Sequence, residues 1–344
     1  MKRFISIILC ILLVVAVAGC GKTEADPKAD PSAEGTHLLD KPVVFKVAAS
    51  DSASSDVGQF IIKGCEAVTE ATNGDITFEY FWDNSLGSIA DYLEAMRSGV
   101  NILGVYGFDS LSEVVKDFMP ASFPYTYNDM YEVFDIIDTP YMDDINKQLY
   151  DNNIVNVAYF TAGYRHFCGD APVTCADDLN GLIVRMGPAS QAQNFAAVCG
   201  GSPTTSTWSD NYSLLQTGAI DLCEASFSML GNSSLFEVSK YVSLSGHMVT
   251  PCTLSCNVEC WEALPAEYQE IFASCMQDAM KELADKLASS EEEWIAKFEE
   301  NGVTIVKDVD KQSFADKLPE LYEKMGIDFN VYKDIRAAIE SNQG

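Results

Sequence analysis

Two arginines are the residues of this chain best suited to chemistry. From Lys147 to Lys240 there is no intervening lysine, and the only arginines are Arg165, in Gly163-Tyr164-Arg165-His166-Phe167, and Arg185, in Leu182-Ile183-Val184-Arg185-Met186. The second stretch follows Asn180-Gly181 and reads as a short buried strand opened by a glycine turn. A guanidinium at the end of such a strand is costly unless it is paired. The charge pattern admits two partners for it. One is an Asp or Glu of the chain itself; the other is the carboxylate of a ligand, received two-pronged on the planar fork of donors.

The remaining candidates carry weaker signals. Cys252, Cys256 and Cys260 recur at four-residue spacing, which matches no C-x-x-C metal or redox pattern and suits small core side chains on a strand. A cysteine-dependent metal or redox role for the three is the alternative from another class. Cys168 and Cys175 flank a short loop and are candidates for pairing, while the other thiols are expected to be free and buried. His166 and His247 are expected to be hydrogen-bonded core or hinge residues. Asp51 and the run Glu291-Glu292-Glu293 read as solvated faces. G-x-S-x-G, H-E-x-x-H, P-loop and dinucleotide fingerprints are all missing. Nothing positive in the sequence points to an enzyme, a cofactor or a metal.

The N-terminus sets the compartment. Met1-Lys2-Arg3 precedes an apolar run from Phe4 to Val17, too short for a comfortable membrane span, and Val17-Ala18-Gly19-Cys20 follows. Residues 1–19 read as a signal peptide. The small residues before Cys20 resemble the bacterial lipobox, in which that cysteine is lipidated and becomes the new N-terminus; an ordinary signal peptide is the alternative. From Cys20 to Lys41 the chain is rich in Ala, Asp, Glu, Pro and Ser and reads as a disordered tether, with an r.m.s. reach of about 25 Å for about 20 residues. The expected location is extracytoplasmic, lipid-anchored to the outer face of the cytoplasmic membrane.

Composition narrows the partners. The formal charge of −29 becomes −31 when Lys2 and Arg3 leave with the signal. Such acidity argues against nucleic acid and against docking on anionic lipid by a basic patch. A small anion is still admissible, because donors in a cleft act at short range where the global field is screened.

The elements that must position the arginines follow an α/β order. Strands are expected at Val43 to Ala49, Ile76 to Phe81 and Ile102 to Tyr106, alternating with helices at Ser54 to Thr72 and Ser88 to Arg97. This order implies a mostly parallel sheet with ligands beyond the C-terminal strand ends, where Ser50, Asp51, Gly107 and Phe108 fall. Helices at about Asp129 to Asp138 and Met142 to Asn152 lead to a strand from Ile154 to Phe160. Beyond Arg185 come helices at Ala189 to Val198 and Ser209 to Gln216, then strands at Ile220 to Glu224, Tyr241 to Ser245 and Met248 to Cys256. One long amphipathic helix from Pro265 to about Glu300 precedes a last strand, Val303 to Val306, and two short helices.

Several pieces of this order resemble the DctP-like extracytoplasmic solute-binding proteins of tripartite ATP-independent periplasmic (TRAP) transporters. They are Asn84-Ser85-Leu86-Gly87, Leu93-Glu94-Ala95-Met96, Gly163-Tyr164-Arg165, Asp178 to Arg185, Tyr212 to Gly218, Glu237 to His247, and Trp261-Glu262-Ala263-Leu264-Pro265. The resemblance implies two α/β lobes joined by crossing strands, with one long helix lying across both and closure on ligand by hinge motion. The expected division is 42–163 plus 253–288 for the first lobe and 164–252 plus 289–344 for the second. The resemblance further implies that Arg185 grips a substrate carboxylate, that Arg165 assists or is structural, and that Trp208 is an aromatic against the ligand or a packing residue.

One family feature is missing. Many members carry Asn-Pro after the glutamate of the strand near Glu224, where this chain has Ala225-Ser226. Ser226 or Ser228 is the candidate replacement for that contact. Ser50, Ile89 and Gly107 stand where sialic-acid-binding members have polar residues, so the resemblance implies a smaller or more apolar acid, with Ser50, Gly107 and Phe108 at the first-lobe wall. The expected function is that of a monomeric, tethered protein capturing a small carboxylate for the small and large permease subunits of a TRAP transporter. A ligand sensor of the same fold, feeding a receptor or kinase, is the alternative.

Overall fold

The computed structural model describes residues 37–343. The signal peptide, Cys20 and the tether as far as residue 36 lie outside the described residues. The end of the expected tether is ordered: the amides of Leu38 and Leu39 donate to the Asp75 carboxylate at 2.9 and 3.2 Å, and Tyr268 Oη donates to it at 2.6 Å. No helix among the described residues is long and apolar enough to cross a membrane.

The nine strands among the described residues join in one sheet with parallel sets at its two ends. At one end β1 (Val43–Ala48) lies between β2 (Ile76–Phe81) and β3 (Ile102–Gly107). At the other, β5 (Ile183–Arg185) lies between β6 (Ser202–Thr204) and β7 (Leu222–Ala225). Between them runs an antiparallel ribbon of β4 (Ile154–Gly169) and β8 (Tyr241–Asn257), with β9 (Thr304–Val306) on the edge of β8. β3 pairs with the Cys252 to Ser255 end of β8, and β7 pairs with the His166 to Gly169 end of β4. The two lobes therefore share the ribbon.

That ribbon departs from the sequence reading. β4 continues well past Phe160 to Gly169, so that Gly163-Tyr164-Arg165 is part of a 16-residue strand, and the two expected strands near Tyr241 and Met248 are one of 17 residues. Glycines inside the runs mark irregular pairing rather than strand ends. Pairing shifts between Thr161 and Tyr164 and again between Arg165 and Phe167, around Gly163 (φ 92°) and Gly246 (φ 50°).

Separate cores flank the ribbon, and the long helix, Ala266–Glu300, touches more than one of them. Its residues Tyr268, Phe272, Met276, Met280, Leu283 and Leu287 are buried in the core beneath β1 and β3. Further along, Phe298 is buried, with Trp294 and Ile295 packed around it, in a core that includes Leu230 and Val242. The C-terminal helix, Asn330–Asn342, corrects the expected assignment of 289–344 to the second lobe. Its Ile335 and Ile339 are buried in the first core, and Arg336 reaches the buried Glu132 carboxylate through both terminal nitrogens. Phe123 makes the opposite exchange, leaving the first-lobe segment to pack on Tyr322, with ring centroids 4.6 Å apart.

Gly231 fixes the second contact of the long helix, because a Cβ there would fall inside the Trp294 ring. Gly231→Ala is expected to cost about 1–3 kcal/mol through overpacking. A lowered urea midpoint at unchanged slope would show it.

Candidate functional site

The strand order explains how residues far apart in sequence meet. β4 lies beside β7, with Phe167 opposite Glu224, and Arg165 two residues earlier shares that face. Arg165 Nε donates to Glu224 Oε2, and its Nη2 donates to Oε1 at 2.9 Å and to the Glu224 carbonyl at 3.0 Å. The Gly187 amide donates to Oε1 at 3.1 Å. His247 Nε2 lies 3.6 Å from Oε2, while its Nδ1 is 2.8 Å from Ser245 Oγ.

Electrostatics at this pair are settled by proximity. Burial pulls the Glu224 carboxyl upward, but the charge of Arg165 together with hydrogen bonding from His247 and Arg165 outweighs it and brings the pKa down to about 2. Burial likewise works against the Arg165 cation, and Glu224 overrides it, so the guanidinium is held above its ordinary value. His247 is fully buried and its pKa is lowered by burial, so the ring is neutral at neutral pH and stacks on Phe167 with centroids 4.4 Å apart. His166 is also buried, with Nδ1 accepting from the Gly246 amide at 3.1 Å.

Arg185 is treated differently. Its residue is 6% exposed, its Nη2 donates to the Ser206 carbonyl at 2.8 Å, and its guanidinium lies 5.4 Å from the centre of the Trp208 ring. Nε is buried without a hydrogen-bond partner, and no carboxylate among the described residues forms an ion pair with this side chain. Burial lowers its pKa, only partly offset by Glu224. Glu224 thus neutralises one of two neighbouring guanidinium groups and leaves the other cationic. Asn211, which sequence reasoning missed, lies one step away: its Oδ1 accepts from Ser206 Oγ at 3.0 Å, and its buried Nδ2 has no partner. Only the fold signals it, through a buried amide at a helix start.

The other candidates distribute as follows. Trp208 is half-buried, its Nε1 donating to Ser233 Oγ at 2.7 Å, so packing and contact with Arg185 coexist in one ring. Ser226 is buried, 3.2 Å from Ser228 through the hydroxyls, in a recess with Gly163, Leu287 and Glu291 that neither arginine lines. Ser50 is exposed beyond β1. Gly107 ends β3, and a Cβ on it would collide with the Asp109 carboxylate. Phe108 is corrected from wall to core: its ring is fully buried, 4.2 Å from Phe118 between centroids, because the helix Phe108–Ser112 begins there and turns it inward. Asp51 is corrected too, since it is half-buried and burial raises its pKa. All nine cysteines among the described residues are free, six of them buried, and Cys168 lies opposite Cys223 rather than bonded to Cys175.

Glu224→Gln leaves Arg165 buried without its counter-charge and is expected to cost about 3–5 kcal/mol. The folded Glu224 pKa, about 2, lies below the ordinary glutamate value of 4.5, so its contribution is complete above about pH 4.5 and fades as pH falls toward 2. Thermal melts from pH 7 to pH 2 should show a shallower acid limb in the variant.

Comparison with known proteins agrees with this architecture. Residues 47–328 match the model of the bacterial extracellular solute-binding protein family 7, DctP. The 2,3-diketo-L-gulonate-binding periplasmic protein YiaO of Escherichia coli is 27% identical over 259 residues, 74% of this chain and 77% of that one. The C4-dicarboxylate-binding protein DctB of Bacillus subtilis is 22% identical over 294 residues, 83% of each chain. Among solved structures, the TRAP periplasmic solute-binding protein of Actinobacillus succinogenes with bound L-galactonate superposes with a TM-score of 0.78 at 24% identity, covering 87% of this chain and 100% of that one. With the family model spanning both lobes and the crossing ribbon, this chain belongs to the DctP family of TRAP solute-binding proteins, whose members are binding components of transporters and not enzymes.

Proposed function

We propose that this protein captures a small organic acid by its carboxylate on Arg185 and delivers it to the small and large membrane subunits of a TRAP permease. The observation that carries this reading is the buried, uncompensated cation of Arg185 beside a carboxylate already committed to Arg165. A ligand carboxylate supplies the missing charge and accepts two parallel hydrogen bonds from the planar fork. Trp208 holds the guanidinium plane, and Asn211 Nδ2 offers a further donor in place of the missing family asparagine. Arg165 acts mainly through Glu224, keeping that carboxylate away from Arg185. The ligands for which relatives are named, a keto sugar acid and C4-dicarboxylates, agree in class. Closure proceeds by bending of the ribbon where pairing is irregular, near Gly163 and Gly246.

A thermal-shift screen of carboxylates, keto acids and sugar acids tests this function. A ligand at about 100 times its Kd adds about 2.7 kcal/mol of stability. Arg185→Gln is expected to weaken a hit by about 30-fold or more, since removing one partner of a desolvated charge pair costs about 2–5 kcal/mol. Affinity that survives the substitution would refute the carboxylate grip.

The tethered location rests on the lipobox ending at Cys20, and such an anchor would hold the protein close to a permease in the membrane. Cys20→Ser is expected to move the protein from the membrane fraction to the soluble fraction of cells. Retention of the variant in the membrane fraction would refute the anchor.

A further inference from the structure

Two of the thiols that the proposed function leaves unused are brought together by the fold. β4 and β7 run antiparallel with Cys168 directly opposite Cys223. Among the strand pairs of the described residues, this is the one position where two cysteines face each other. Both side chains are fully buried in the same core, with Leu230 and Val242. Residues directly opposite on antiparallel strands share a face of the sheet, with Cα atoms about 4.5–5.5 Å apart. A disulfide spans Cα separations of about 4.4–6.8 Å, so the backbone is already in place for one. The strands also approach closely at the next pair, where Gly169 faces Leu222 and a Cβ on Gly169 would collide with the Asp221 carbonyl oxygen.

The pair is inert once folded. The Cys168 thiol donates to Ser239 Oγ at 3.2 Å, and hydrogen bonding with Cys168 together with burial holds the Cys223 thiol well above the ordinary cysteine value. A buried, protonated thiol is a poor nucleophile. Exchange therefore belongs to the folding chain, before β7 docks on β4, and the finished bond is shielded from reductants. The position also matters mechanically. Phe167 faces Glu224 one step along the ladder, and Cys223 faces Arg185 across β5. The family is extracellular, and disulfides form and persist in oxidising compartments outside the cytoplasm.

We infer that Cys168 and Cys223 are a disulfide-forming pair in the exported protein, tying the ribbon that both lobes share to the strand that carries Glu224. The inference does not depend on the carboxylate grip of Arg185. The bond forms by exchange with a donor disulfide, from a thiol oxidoreductase in the cell or from oxidised glutathione in vitro. One cysteine thiolate attacks the donor and expels the first donor thiolate. The other cysteine then attacks the mixed disulfide and expels the second. Cys168 and Cys223 together lose two electrons and two protons, and the donor is reduced to two thiols.

Peptide mapping of the full chain tests the pair. Protein exported by cells is trapped in acid, alkylated in denaturant without reductant, digested and read by mass spectrometry. The expected map contains one peptide pair linked through Cys168 and Cys223, with Cys175 alkylated. Alkylation of both Cys168 and Cys223 overturns the proposal, as does linkage of Cys168 to Cys175. A second measurement compares chain refolded with oxidised glutathione against chain refolded in dithiothreitol. The reduced form is expected to melt about 5 °C lower, since the bond closes a long loop. The Cys223→Ala variant is expected to show no difference between the two conditions, and the same drop in that variant overturns the assignment. The map is read on the unsubstituted chain, so it stands whether or not the variant folds.

Discussion

One buried carboxylate lying between two guanidinium groups is the constraint on which the rest of the site depends. Glu224 is almost inaccessible and must be neutralised, and Arg165 does this through its Nε and Nη2. A single carboxylate saturated by one fork has little left for a second. Arg185 therefore remains a cation in a desolvated setting, supported by a carbonyl and an aromatic face that stabilise positive charge without cancelling it. An arrangement of this kind is poor for stability and good for recognition. The burial cost of Arg185 is met in the fold, so its donors are already oriented for the carboxylate proposed to bind there.

The same constraint ties the site to the mechanics. Arg165 sits on the ribbon that both lobes share, Glu224 on the second-lobe strand beside it, and His247 on the facing strand of the ribbon. The long helix spans the outside, with Met276 and Leu283 in one core and Phe298 in another. Bending at the irregular pairs around Gly163 and Gly246 would leave each of these cores whole and would change the relation between strand-end loops. The charged cluster lies at that bend. Closure consequently changes the distance between opposite charges rather than the packing of apolar surface, which suits a motion that must reverse when the solute is released.

How far the sequence discloses this depends on whether a feature is local. Arg185 was legible because a strand pattern ends on it and no other cation lies near it in sequence, except Arg165. The partner of Arg165 was not, since Glu224 is 59 residues away and meets it only through the pairing of β4 with β7. Strand lengths were misread at glycines, because Gly163 and Gly246 interrupt the periodicity without ending the hydrogen-bonded run. Phe108 was misplaced because its direction is set by the helical turn that begins there, which a strand-end argument does not contain. Asn211 carries no pattern at all; its buried amide and its link to Ser206 belong to the assembled fold.

An acidic protein that takes up an anion is no paradox on this geometry. The chain's −29 formal charges act through solvent, where a screening length of about 8 Å at physiological ionic strength mutes those on remote surfaces. At contact the balance is local: Arg165 is paired with Glu224, while Arg185 has no carboxylate partner among the described residues. Net charge acts on solutes as they approach, and donors fixed in the fold act at contact. The first effect weakens as salt rises, while the second, inside a closed and desolvated cleft, does so far less.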